Sequence, residues 1–226
     1  MRRDRGILCL VTDRVQLGAS PDRSVEAGTL AGLAREAVDA GVDVIQIRER
    51  DLDAAALLDL AGAIVEIARG SGTDVVVNDR LDVAIASGAN GVHLRADSVA
   101  PAAVGAIAPA GFLIGRSVHG ASEAREHGSA VDYLIAGKVF ATPSKPAESR
   151  LLFRRGLEEI VGAVRVPVLA IGGVTMDRVS EVAAAGAAGV AGIRLFLNRA
   201  TSMRTSVKAI REQFDRARAA SSFKLN

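Results

Sequence analysis

The feature that most constrains this chain is a repeated unit. A short β-branched or Leu-rich run is followed by an amphipathic helical stretch, and a small-residue hinge leads into the next run. The hinges Ala40-Gly-Val-Asp-Val44, Gly88-Ala-Asn-Gly-Val92 and Gly186-Ala-Ala-Gly-Val190 are one device. In each, a helix ends on a glycine, which tolerates left-handed backbone, and the chain turns straight into a strand. Strands are expected at Ile7–Thr12, Val42–Arg48, Asp74–Asn78, Gly91–Leu94, Phe112–Ser117, Tyr133–Lys138, Val166–Ile171 and Gly189–Ile193. Apolar residues at three-to-four spacing place helices over Leu30–Ala40, Ala54–Arg69, Arg154–Val164, Met176–Ala185 and Ser202–Ala220. Eight such units with no break in composition specify a closed (β/α)8 TIM barrel. The expected organisation is a single domain over residues 1–226 with a frayed tail at 219–226. The alternative is an open doubly wound sheet. It normally has fewer strands and a Gly-rich first turn, and Thr12-Asp-Arg-Val-Gln-Leu-Gly18 has no GxGxxG.

Composition narrows the class further. Apolar residues make up 49% of the chain, enough for a large core, but aromatics are only 3% and Trp is absent. Such a core is built from Ala, Val, Leu and Ile, as suits parallel strands buried on both faces. Few aromatics, and 28 basic against 26 acidic residues, argue against a nucleic-acid surface. The sequence has no apolar run long enough for a membrane span and no signal-peptide pattern. Cys9 is the single cysteine, so no internal disulfide can form and a reducing cytoplasm is the expected location. It sits in an apolar run, which reads as a buried thiol. A homodimer is compatible with the sequence, and nothing in it selects an oligomeric state.

In a parallel barrel the active site lies at the C-terminal ends of the strands. Strand 2 ends in Gln46, Arg48 and Arg50, which alternate and so share one face. If Val44 is a core residue, that face points into the barrel mouth. Paired guanidiniums suit a phosphate or diphosphate; the alternative is ion pairing with Glu49, Asp51 and Asp53. Strand 3 ends in Asn78 and Asp79, which can cap the next helix or hold a substrate nitrogen or a cation. His93 on strand 4 reads as a satisfied interior histidine. On strand 5, Ser117 and His119 alternate onto one face, and His119 is placed to move protons near neutrality. After strand 6 the segment Thr142-Pro-Ser-Lys145 reads as a flexible lid. After strand 7, Gly172 and Gly173 precede a helix expected to start near Met176, where backbone N–H groups and the helix dipole attract an anion. The strand 8 end, Ile193 and Arg194, would complete that phosphate site.

These segments in this order resemble the thiamin phosphate synthase family, including its TenI-type thiazole tautomerase branch. The resemblance runs from about Ile7 to Phe196. It is carried by Val11-Thr-Asp13, Gln46-Ile-Arg-Glu-Arg50, Asn78-Asp-Arg80, Gly91-Val-His-Leu94, Gly115-Arg-Ser-Val-His119, Asp132-Tyr-Leu134, Thr142 with Lys145, and Ala170-Ile-Gly-Gly-Val174. It implies a (β/α)8 barrel acting on a small phosphorylated thiazole. In a synthase, a pyrimidine diphosphate is coupled to a thiazole phosphate with release of pyrophosphate and with Mg²⁺. Gln46, Arg48 and Arg50 would then hold the diphosphate, Asn78 the pyrimidine and Asp79 the metal. Ser117, Thr142 and Lys145 would contact substrates, and Gly172 and Gly173 would hold the thiazole phosphate.

The chain also departs from that pattern. The synthase stretch His-Leu-Gly-Gln-Glu-Asp, whose last residue is a second metal ligand, is here His93-Leu-Arg-Ala-Asp-Ser98. Arg50 stands where Lys is usual, and Arg194 where Ser is usual. The tautomerase branch lacks the Gln-Glu-Asp element, carries a Gly-Arg-Ser-Val-His-like segment and needs no cofactor. The expectation drawn from the resemblance is therefore a TenI-like tautomerase with His119 as proton shuttle. The alternatives are a synthase or a non-catalytic phosphate-binding barrel.

Overall fold

The computed structural model describes residues 5–17, 23–141, 151–197 and 201–222. Eight parallel strands close into a barrel in chain order. They are β1 (Ile7–Val11), β2 (Val44–Ile47), β3 (Asp74–Asn78), β4 (Gly91–Leu94), β5 (Leu113–Val118), β6 (Tyr133–Gly137), β7 (Val168–Ile171) and β8 (Gly189–Gly192). Each lies within two residues of its expected bounds. The helices are α1 (Arg23–Ala40), α2 (Ala54–Ala68), α3 (Leu81–Ala86), α4 (Pro101–Gly105), α5 (Ala121–His127), α6 (Phe153–Gly162), α7 (Val179–Ala184) and α8 (Met203–Ser222). The sequence reading gives no bounds for α3, α4 and α5, which have too few turns to show a helical apolar period. Of the tail expected to fray at 219–226, the described part continues α8 to Ser222 and the rest lies outside the described residues.

Apolar residues fill two layers. Inside the barrel lie Ile7, Cys9, Val11, Val44, Val76 and Tyr133, among others. Outside it, the strands pack on the helices through a larger Leu-, Val- and Ala-rich layer. Tyr133, the only tyrosine, fills the barrel interior because Gly115 leaves room for it. A Cβ at Gly115 would lie 2.1 Å from the ring Cζ. Cys9 is fully buried, and burial pushes its thiol up to about 12. It is therefore protonated at neutral pH and packs as a small apolar group.

The hinges have a second task at the N-terminal end of the barrel. Gly41, Gly88 and Gly186 take φ of +78°, +71° and +83°, the left-handed turn that their position requires. The polar residue that follows two of them staples the preceding strand. Asp43 accepts from Leu8 N–H at 2.9 Å, and Asn90 accepts from Val75 N–H at 2.8 Å. Asp132 does the same for Ile114 at 2.8 Å. Asp43 also binds Arg5 at 2.6 Å and Arg211 of α8 at 3.1 Å, so one buried carboxylate joins β1, β2 and the last helix. Asp43→Ala would leave Arg211 and the Leu8 amide without this acceptor. The expected loss is about 3 kcal/mol of unfolding free energy, read from urea unfolding at neutral pH.

Candidate active site at the barrel mouth

The premise for strand 2 holds: Val44 belongs to the barrel interior. Gln46, two residues on, is buried and donates from Nε2 to Asn78 Oδ1 at 3.3 Å. Arg48 and Arg50 lie just beyond the end of β2, one half-buried and one exposed. Burial, and then repulsion from Arg50, hold the Arg48 guanidinium below its ordinary range. An anion bound between the two would relieve that repulsion.

The carboxylates nearest in sequence make their hydrogen bonds elsewhere, although the charges of Asp13 and Glu49 still act on Arg48. Glu49 is buried and accepts from the backbone N–H of Arg14, and Asp51 forms a two-pronged pair with the Arg14 guanidinium. Asp53 caps α2, accepting from Ala56 N–H at 2.9 Å. Arg48 retains one longer contact, 3.8 Å from Asp13. The ion-pairing alternative for strand 2 thus has its partners committed elsewhere.

Asn78 and Asp79 likewise do not cap α3. Arg80 occupies the cap position and pairs with Asp82 at 2.6 Å. Asn78 turns to Gln46, while Asp79 faces the loop after β4 and accepts from the Ser98 hydroxyl. Asp79 adopts φ +62°, a left-handed conformation that Asp tolerates better than most residues, and its N–H donates to His93 O at 2.9 Å.

His93 stands inside the barrel as a hydrogen-bonded link. Its Nδ1 lies 3.2 Å from the Tyr133 hydroxyl and its Nε2 lies 2.9 Å from Ser117 Oγ. Ser117 is half-buried, so the chain Tyr133–His93–Ser117 runs from the core to the mouth. Burial, and then the charge of Arg116, pull the His93 imidazole down to about 3, so it is neutral at physiological pH.

His119 follows the end of β5, and its contacts are with the next helix. Its backbone N–H donates to Glu123 of α5 at 2.8 Å and its Nδ1 lies 3.5 Å from the same carboxylate. The ring is half-exposed on the rim and lines a groove with Leu152, Gly156 and Glu159. The local reason is the acidic residue four positions on, which draws the side chain to the first turn of α5.

Gly172 and Gly173 take φ of +95° and +64°. A Cβ at Gly173 would lie 2.3 Å from Ala141 O, and one at Gly172 would lie 2.8 Å from Lys138 Cγ. Both positions therefore require glycine, and backbone approaches the mouth there. The helix does not begin where expected. Met176–Arg178 forms a 3-10 turn, and α7 starts only at Val179. Any anion held by the glycines is held by loop N–H groups rather than by an α-helix end. Ile193 packs against the barrel interior and Arg194 is exposed at the strand 8 end. Thr142 and Lys145 lie outside the described residues.

Two structurally important residues escaped the sequence reading. Lys138 is buried at the end of β6. Arg116 is buried beneath the loop after β4 and donates to the carbonyls of Val99 at 2.9 Å and Ala96 at 2.8 Å. Arg116 faces away from Ser117 along β5, and an arginine on the helix-facing side of a strand gives no recognisable signal.

The His93 shift sets a pH dependence of stability. Between 6.5 and about 3 the unfolded chain holds the His93 proton and the folded chain does not. Stability therefore rises with pH through that window and is lost as pH falls through it. The expected slope from this residue reaches about 1.4 kcal/mol per pH unit. Urea unfolding at several pH values in the window should show His93→Gln with a shallower slope than the wild type; equal slopes would place the acid sensitivity elsewhere.

Comparison with known proteins agrees with this architecture. The sequence profile of the thiamine monophosphate synthase (TMP-TENI) family matches residues 8–196. The chain is 40% identical over 200 residues to a thiamine-phosphate synthase of Methanoculleus marisnigri, covering 88% of this chain and 94% of that protein. It is 39% identical over 209 residues to the thiamine-phosphate synthase of Methanoregula boonei, covering 89% and 97%. Among solved structures, thiamine phosphate pyrophosphorylase from Pyrococcus furiosus superposes with a TM-score of 0.79 at 30% identity, over 95% of this chain and 98% of that one. The (β/α)8 barrel, the strand-end arrangement and these relatives converge: the chain belongs to the thiamine monophosphate synthase family and is an enzyme of thiamin biosynthesis.

Proposed function

We propose that this chain is a thiamin phosphate synthase, joining a pyrimidine diphosphate to a thiazole phosphate and releasing pyrophosphate. The observation that carries the reading is the mutually repelling Arg48–Arg50 pair just beyond the end of β2, with Asp51 hydrogen-bonded to Arg14 and Asp53 capping α2. Relatives near 40% identity bear the synthase name and support transfer over the tautomerase reading.

The reaction breaks the C–O bond between the pyrimidine methylene and the diphosphate, whose oxygen keeps the electron pair. A C–N bond to the thiazole nitrogen forms in its place. The chain's own contribution is positioning and charge. Arg48 and Arg50 hold the diphosphate and stabilise the charge that builds on it as it leaves. Gln46 joins the two arginines at the diphosphate, and Asn78, hydrogen-bonded to it, presents its amide to the pyrimidine. Ser117, backed by neutral His93, offers a hydroxyl at the mouth. Gly172, Gly173, Ile193 and Arg194 hold the thiazole phosphate, so that the two reactants meet across the barrel axis. The family resemblance would add Thr142 and Lys145 to the substrate-binding residues.

The family resemblance implies Mg²⁺ at Asp79, but the residues present do not fit it. Ser98 donates to one oxygen of Asp79, and the Arg95 guanidinium lies 3.4 Å from the other. Asp97 pairs with Arg95. Among the described residues, no three His, Cys, Asp or Glu side chains gather to hold a metal. No step is assigned to a metal here.

That misfit is also the one observation favouring the tautomerase reading, which needs no metal. It ranks second because its proton shuttle, His119, contacts Glu123 on the rim.

An assay of the purified protein with both substrates separates the readings. Pyrophosphate release is expected, and Arg48→Ala should lower kcat/KM about 100-fold, or ~3 kcal/mol of transition-state stabilisation. Conversion of one thiazole isomer to the other without pyrophosphate release would replace this proposal with the tautomerase.

A further inference from the structure

The loop after β4 is built around a cation supplied by the protein itself. Arg95 spans two carboxylates. Its Nε donates to Asp97 at 2.8 Å, and its NH1 lies 3.4 Å from Asp79. Ser98 closes the arrangement. Its Oγ accepts from the Arg95 backbone N–H at 2.9 Å and donates its proton to Asp79. Each Asp79 carboxylate oxygen thus faces a donor from this loop. A small divalent ion demands near-octahedral oxygen ligands at about 2.0–2.1 Å, and a guanidinium beside the carboxylate opposes it in charge.

The loop is also held from below. Arg116 is 3% exposed and donates to the carbonyls of Ala96 and Val99, on either side of Asp97 and Ser98. That clamp fixes the backbone from which Ser98 reaches Asp79. The Asp97 carboxyl lies below its usual range first through its hydrogen bond from Arg95 and only last through the nearby charge of Arg50. Arg95 and the Arg48–Arg50 pair therefore belong to one charged mouth, in which Arg95 carries the charge beside Asp79.

We infer that Arg95 takes the place of a divalent cation at Asp79, so that the protein binds a diphosphate group with its own guanidiniums and without a bound metal. The inference rests on reading the Arg48–Arg50 side of the mouth as a diphosphate site. Arg116 acts as a positioning residue, through the loop it holds.

The test uses the full chain with two probes, Mn²⁺ alone and inorganic pyrophosphate in EDTA. By titration calorimetry the wild type is expected to show no saturable Mn²⁺ site at millimolar concentration, yet to bind pyrophosphate in EDTA. The double variant Arg95→Gly with Ser98→Asp should gain one Mn²⁺ site, and adding Asp79→Asn should remove it. Arg95→Gly alone should weaken pyrophosphate binding in EDTA about tenfold, as expected for one charge-assisted contact. A saturable Mn²⁺ site in the wild type that Asp79→Asn abolishes would overturn the inference, and this measurement does not depend on any loop variant folding. Pyrophosphate binding that is unchanged in Arg95→Gly would overturn it as well. If Arg48→Ala also leaves pyrophosphate binding unchanged, the diphosphate reading itself has failed, which the Mn²⁺ result distinguishes.

Discussion

Everything functional in this protein depends on β8 closing back onto β1. The two strands pair from Ile7 with Gly189 to Leu10 with Gly192. The approach is so close that a Cβ on Gly189 would fall 1.9 Å from Ile7 O. Once the ring is closed, eight strand ends point to one rim, and residues far apart in sequence become neighbours. Asn78 meets Gln46, His93 meets Ser117, and Asp79 meets Ser98 only because strands β2 to β5 lie in chain order with fixed register.

Charge is distributed around that rim by pairing, not by composition. The net charge is only +2. Yet the mouth concentrates positive charge because its acidic neighbours are drawn away. Arg14 engages Glu49 and Asp51, Arg80 engages Asp82, and Asp53 caps a helix. Arg95 is the exception, since it is committed to Asp97 and Asp79. Arg48 and Arg50 are thereby left at the rim with the nearest carboxylates hydrogen-bonded elsewhere, which suits the proposed diphosphate site.

The barrel was legible because its signals are local and repeated. Gly41, Gly88 and Gly186 end their helices as expected, and the strand bounds follow from the apolar runs between them. Alternation along strand 2 places Gln46 two residues beyond the interior Val44, and the two glycines after β7 take the left-handed backbone that glycine tolerates. The rest depends on contacts between distant segments. His119 follows Ser117 at strand spacing, but Glu123 of the next helix draws it to the rim. Asp79 and Asn78 have the composition of a cap, but the register of β2 and β4 gives each a partner across the sheet. Arg116 was invisible because its role is to hold a loop that only the folded chain brings over it. The step from barrel to tautomerase rested on two short stretches, the motif around His119 and Ser98 in place of a metal ligand, and the relatives that match most of the chain are named for the synthase.

The central claim is that the mouth holds two anions in two separate subsites, one between Arg48 and Arg50 and one at Gly172 and Gly173. The most direct measurement is a crystal structure of the chain with pyrophosphate and thiamin phosphate bound together. The expected result places pyrophosphate against Arg48 and Arg50 and the phosphate of the product against the two glycines. Pyrophosphate bound away from both arginines, or a product phosphate that leaves the glycines untouched, would contradict it.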